Sequence, residues 1–176
     1  MVVKGFIKMN KIFLITGPAG VGKSTISSLI AESLEKSVLL EGDTIYHFVY
    51  GGYIAPWKEG NHLDLFWQNS FSLIENSIQK GYDVVFNYIL HKSEVESIKR
   101  KFSTCEVKFV CLMTDEETLL NRDKMRIPEN QMGERCLVLL NNFKKQNFDK
   151  KNIIDSSNLT KEEVCKQILE NKNFII

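Results

Sequence analysis

The chain has 176 residues, 43% of them apolar and 26% charged, and 23 basic against 22 acidic side chains leave a net charge of +1. That length and composition predict one globular domain over 1–176 with a substantial core. The balanced charge argues against nucleic acid or an anionic membrane as a partner, and the N-terminal apolar run at 12–15 falls far short of a leader or a membrane span, so the expected compartment is the cytoplasm.

In chain order, residues 12–15 form a short apolar run that stops at Thr16-Gly17, a buried-strand signal. Ile26, Leu29, Ile30 and Leu34 then mark one face of a helix over 23–34. A second strand at 38–40 closes on Glu41-Gly42-Asp43, and 44–61 has no clean period, which makes it a candidate substrate loop. Leu63, Phe66, Trp67, Phe71, Ile74 and Ile78 predict a helix over 62–80, with Gly81 as its stop. Residues 83–90, 107–112 and 152–155 read as strands three, four and five. Helix starts are expected at three capping boxes, Ser93 with Glu96, Thr114 with Glu117, and Thr160 with Glu163. Strands separated by helices imply a three-layer α/β fold, a parallel sheet covered on both faces. Cys105, Cys111, Cys136 and Cys165 lack metal spacing and read as thiols in a reducing compartment.

One motif carries chemistry. Gly17-Pro18-Ala19-Gly20-Val21-Gly22-Lys23-Ser24 fits G-x-x-x-x-G-K-[ST] in full, with Thr25 following, after a strand and at the start of a helix. The glycines let the loop curl so that backbone N–H groups converge on one anion, and the helix adds its positive end. Lys23 would place a charge on the β- and γ-phosphates of ATP, and the Ser24 hydroxyl would ligate Mg²⁺.

The strand, P-loop and helix, the Glu41-Gly42-Asp43 closure, and the segment Leu119-Leu120-Asn121-Arg122-Asp123-Lys124-Met125-Arg126 resemble the small P-loop kinases of the nucleoside-monophosphate-kinase-like superfamily. Gluconate kinase, shikimate kinase, adenylyl-sulfate kinase and chloramphenicol phosphotransferase are examples. The resemblance implies a five-stranded parallel sheet in the order 2-3-1-4-5, a substrate-binding stretch at about 44–66 and a small lid at about 115–147. It also implies that Asp43 accepts the proton of the acceptor hydroxyl or helps hold Mg²⁺ through water, and that Arg122 and Arg126 close over the transferred phosphoryl. Adenine would lie against 156–158.

The residues themselves leave alternatives. Asp43 stands at the carboxyl end of a strand, where ligands sit in open sheets, but it could equally cap a short helix at 44–48. Arg122 and Arg126, four apart on one helical face, repel unless an anion lies between them or acids such as Asp123 pair with them. Arg135 follows on the next helix. Asn87 occupies the end of strand three where an acid would be expected to help hold Mg²⁺, and it reads either as a site group or as a buried amide. Tyr50, Tyr53 and Trp57 lie in the irregular stretch and are candidates for the acceptor pocket, whereas Phe66 and Trp67 fit the helical stripe of the core. His47, His62 and His91 have no partners at ligand spacing.

The expected function is an ATP- and Mg²⁺-dependent kinase acting on a hydroxyl of a small molecule, gluconate-kinase-like or antibiotic-kinase-like. A nucleotide kinase and a regulatory ATPase or switch are the alternatives. All four arginines lie from Arg100 onward, so the acceptor is expected to be neutral where it meets the protein, because phosphate and carboxylate acceptors favour the guanidinium fork. The oligomeric state has no sequence signature here.

Overall fold

The computed structural model describes residues 9–176; the expectation that the N-terminus carries no leader concerns, up to residue 8, residues outside that range. Among the described residues, no helix is long and apolar enough to cross a membrane.

Five strands form one parallel sheet in the order β2-β3-β1-β4-β5, the order expected. They are β1 (Lys11–Thr16), β2 (Ser37–Glu41), β3 (Asp83–Asn87), β4 (Glu106–Met113) and β5 (Ile153–Asp155). Seven helices connect and cover them among the described residues: α1 (Lys23–Ser33), α2 (Gly42–Tyr46), α3 (His62–Gln79), α4 (Lys92–Lys101), α5 (Glu116–Lys124), α6 (Arg135–Lys145) and α7 (Lys161–Glu170). Successive strand residues point to opposite faces, and this divides the core in two. Ile12, Leu14, Val84, Phe86, Val107 and Phe109 pack with Phe66 and Ile74 of α3 and Val95 and Ile98 of α4. Phe13, Ile15, Val85, Val110 and Leu112 pack with Ile26 and Ile30 of α1 and Val164 and Ile168 of α7.

Three local expectations change. The third strand ends at Asn87 rather than at 90, because Leu90 N–H donates to the Thr16 hydroxyl at 2.9 Å and the chain turns over the end of β1. Helix α4 starts at Lys92, where Glu94 accepts from the N–H of His91 at 2.7 Å, in place of the Ser93–Glu96 pair. Helix α5 is capped by Asp115, which accepts from Thr118 N–H at 2.7 Å, one residue past the expected Thr114. The Thr160–Glu163 box forms as expected at α7. Asp83, at the far end of β3, accepts from Lys11 N–H at 2.8 Å and is buried away from the strands' carboxyl ends.

The carboxyl edge of the sheet is shaped by one close approach. A Cβ on Gly42 would lie 2.4 Å from Cδ2 of Tyr88, so only glycine lets α2 start beside that ring. This contact sets the short α2 against the turn that follows β3.

Candidate functional site

The loop between β1 and α1 has three glycines at positive φ, Gly17 at 143°, Gly20 at 85° and Gly22 at 103°. Gly17 is also required by space, since a Cβ there would lie 2.3 Å from the carbonyl oxygen of Leu112. Among the described residues, the N–H groups of Gly20, Val21 and Gly22 donate to no protein acceptor. The curled backbone thus presents free donors at a helix start, the arrangement that suits a phosphate chain. Ser24 and Thr25 are exposed at the first turn of α1 and line the same cavity, which has a volume of about 830 Å³.

Lys23 bends back over its own loop, its Nζ donating to the carbonyls of Gly17 and Pro18, each at 3.0 Å. Burial of the ammonium pushes its pKa down to about 8; Asp43 opposes the shift and Arg126 adds to it. Asp43 lies in the first turn of α2, whose N-cap is Glu41, so the capping alternative for Asp43 is not realised. Its carboxylate makes no hydrogen bond or ion pair among the described residues, and it lines the cavity with Lys23.

The two lid arginines part ways. Arg122 donates through Nη1 to Val21 O at 3.1 Å and Ser156 Oγ at 3.0 Å, and through Nη2 to Ser156 O at 2.8 Å. It staples the P-loop to the turn after β5 and lines the cavity with Lys23. Arg126 has a single bond, from Nη1 to Asp123 Oδ1 at 3.3 Å, and its charge is the one that acts on Lys23. Arg135 also lines the cavity, with its guanidinium carbon 4.2 Å from the ring centroid of Trp57.

Asp123, which the sequence offers only as a partner for arginines, organises the segment after α5. It is 2% exposed, and its Oδ2 accepts from Met132 N–H at 2.9 Å and Gly133 N–H at 2.8 Å. Burial pushes its carboxyl up, but those two N–H groups, the Cys136 thiol and Arg126 outweigh that, and the pKa falls below the ordinary value. In Asp123→Asn an NH₂ replaces one of the accepting oxygens. The substitution is expected to loosen the segment after α5 by about 1–3 kcal/mol, measured as faster amide hydrogen exchange at Met132 and Gly133. Unchanged protection would show that the lid does not rest on this carboxylate.

The acceptor candidates are sorted by the same cavity. Trp57 and Asn87 line it, and so do Trp67, Tyr88, His91 and Glu94, which sequence reasoning had left in the core or set aside. Tyr50 and Tyr53 do not. Tyr50 is 96% exposed and lines a second, open depression with Asp43, Thr44, His47 and Phe48, and Tyr53 stacks on His47 with ring centroids 5.6 Å apart. Tyr46 holds this stretch by bonding the carbonyl of Ile54. Asn87 is 4% exposed and donates to Glu41 Oε1 at 3.3 Å, so the acid absent from β3 stands beside it on β2. Ser156 lines the other end of the cavity together with Leu159, Lys161 and Val164.

Among the described residues, no group of three or more His, Cys, Asp or Glu side chains could hold a metal by itself. The hard oxygen of Ser24 and the nearby Asp43 carboxylate nevertheless suit Mg²⁺, which keeps several waters and takes phosphate oxygens for the rest of its shell.

Residues 13–149 match the model of a family described as AAA domain. No curated protein matches the chain in sequence. Solved structures share the fold. The tunicamycin resistance protein of Deinococcus radiodurans aligns at 18% identity and a TM-score of 0.62, over 90% of this chain and 93% of its own. A gluconokinase from Sinorhizobium meliloti 1021 aligns at 17% and 0.64, over 92% and 90%. A shikimate kinase from Bacteroides thetaiotaomicron aligns at 17% and 0.63, over 92% and 97%.

Proposed function

The chain belongs to the AAA domain family, and from that premise we propose that it is an ATP-dependent kinase that phosphorylates a hydroxyl of a small molecule. The observation that carries this reading is the unpartnered Asp43 carboxylate in the cavity that holds Lys23, with an aromatic chamber adjoining. A nucleotide-hydrolysing switch has no need of such a chamber, and solved structures of the same fold include proteins described as gluconokinase and shikimate kinase.

In this reading the free N–H groups of the P-loop and Lys23 bind the β- and γ-phosphates. Mg²⁺, held by Ser24, phosphate oxygens and water, would offset the phosphate charge. Asp43 orients the acceptor hydroxyl and takes its proton as the new P–O bond forms and the β,γ-bridging P–O bond breaks toward ADP. Arg126 meets the charge on the transferred phosphoryl, while Arg122 positions the P-loop and the adenine end beside Ser156. Residues 44–66 and 115–147 act as acceptor stretch and lid of one unit over 1–176. Trp57, Asn87 and Arg135 contribute to the acceptor end, and the absence of arginine before Arg100 speaks against an anionic acceptor and so against a nucleotide kinase. The four free thiols fit a cytoplasmic setting.

The test is ADP release with and without added hydroxylated metabolites and antibiotics. Slow hydrolysis raised many-fold by one of them supports the kinase. Hydrolysis indifferent to every acceptor would identify a regulatory ATPase.

A further inference from the structure

The cavity is polar along its length. Its charged lining comprises the cations Lys23, Arg122, Arg126, Arg135 and Lys161 and two acids. Of its two acids, Asp43 acts on Lys23, whereas Glu94 stands at the start of α4; Arg135, on the same lining, is stacked on Trp57. The absence of early arginines from the sequence predicts a neutral acceptor; the placement of Glu94 goes further.

Glu94 is half-buried at the start of α4. One of its oxygens, Oε2, accepts from His91 N–H at 2.7 Å, which fixes the carboxylate at the cavity wall and leaves the second oxygen without a protein donor among the described residues. Tyr88 lines the cavity together with both acids. Burial raises its pKa most, and the charges of Asp43 and, more weakly, Glu94 raise it further, which places both carboxylates within electrostatic reach of one phenol. Trp67 meets Tyr88 edge-on at 6.2 Å between centroids, so the wall beside the acids is aromatic. Ring faces and a fixed carboxylate together attract one kind of group, an ammonium. Asp43 is committed to the hydroxyl next to the phosphates. Glu94 remains for a second feature of the same molecule.

Building on the kinase reading, we infer that Glu94 is a specificity-determining residue and that the acceptor is a hydroxylated amine, an amino sugar or amino alcohol whose ammonium group rests between Glu94 and the Trp67–Tyr88 wall. The amine does not react. The hydroxyl oxygen takes the γ-phosphoryl, its proton goes to Asp43, and ADP leaves with the electron pair of the broken P–O bond.

The test uses matched triples of acceptors: glucosamine, glucose and gluconate, and an aminocyclitol with the corresponding cyclitol and carboxylate. ADP release is followed for each. The amine of a triple is expected to give at least a roughly tenfold higher kcat/KM than its partners, lost as pH rises through the pKa of its amino group. Glu94→Gln should raise the KM for the amine by about 10- to 100-fold and leave the KM for ATP in place. Glutamine also serves at this cap position, so α4 should keep its start. A neutral or carboxylate compound that works as well as its amine, or an amine KM unmoved by Glu94→Gln, overturns this inference and leaves the kinase standing. If no compound of any class raises ADP release from bound ATP, the kinase reading itself fails.

Discussion

Replacing Lys23 by alanine is expected to lower acceptor-dependent kcat/KM by about 10²- to 10³-fold, the range seen when one preorganised electrostatic group is removed from a transition state. The charge that Lys23 brings has no substitute nearby: Arg122 is tied to Val21 and Ser156, and Arg126 reaches in from the lid. Stability should change little, because the ammonium bonds only to two carbonyls of its own loop. The burial that holds the Lys23 pKa at about 8 also disfavours its charged form in the free protein. A bound phosphate chain favours the proton, so nucleotide affinity in the unmodified protein should fall as pH rises above about 8, and Lys23→Ala should lose this dependence. Steady-state kinetics with titration calorimetry at several pH values measure both effects. Near-normal turnover of the variant at saturating ATP would refute the assignment.

Asp43→Asn should act on the other half of the reaction. Removing a general base costs typically ~10²–10⁴-fold, and the loss should appear in kcat while the KM for ATP stays close to its original value. The carboxylate has no hydrogen bond to lose and no cap to vacate, since the N-cap of α2 is Glu41. A fall in thermal stability that accounts for the lost activity would assign Asp43 to the fold instead. Full activity would show that the acceptor proton leaves by another route.

The parts of this molecule that were legible in the sequence are those governed by local rules. The P-loop and its flanking strand and helix follow from glycine conformations and a seven-residue spacing. Strands separated by helices placed cover on both faces of the sheet. The acceptor chamber was less legible, because long-range contacts build it. Trp67 falls on the apolar stripe of α3, yet it is only half-buried and lines the cavity, and periodicity does not distinguish a core face from a cavity wall. His91 and Glu94 are aimed by the turn after β3, which Thr16 pins through Leu90 across 74 positions of sequence. Tyr50 and Tyr53 pose the converse case. An irregular aromatic stretch next to a ligand edge suggests a pocket, but the direction it faces is decided by Tyr46 and Ile54. The helix starts at α4 and α5 slipped by one or two residues because neighbouring residues offered competing caps.

The central place of β1 in the sheet also has a consequence for how the chain is made. This strand leaves the ribosome first among the five, yet its two neighbours are β3, which starts at Asp83, and β4, which starts at Glu106. Synthesis at about 5–20 residues per second puts roughly 5–20 s between the appearance of Thr16 and that of Met113. Until β3 appears the strand has neither of its partners, and until β4 is nearly complete the loop has no Leu112 carbonyl to close against. A nascent chain that stops before β4 therefore carries the full P-loop sequence without the means to shape it. Pairings this distant in sequence also slow folding once the chain is complete. A charged, glycine-rich loop next to a four-residue apolar run keeps that waiting segment from offering a long sticky edge.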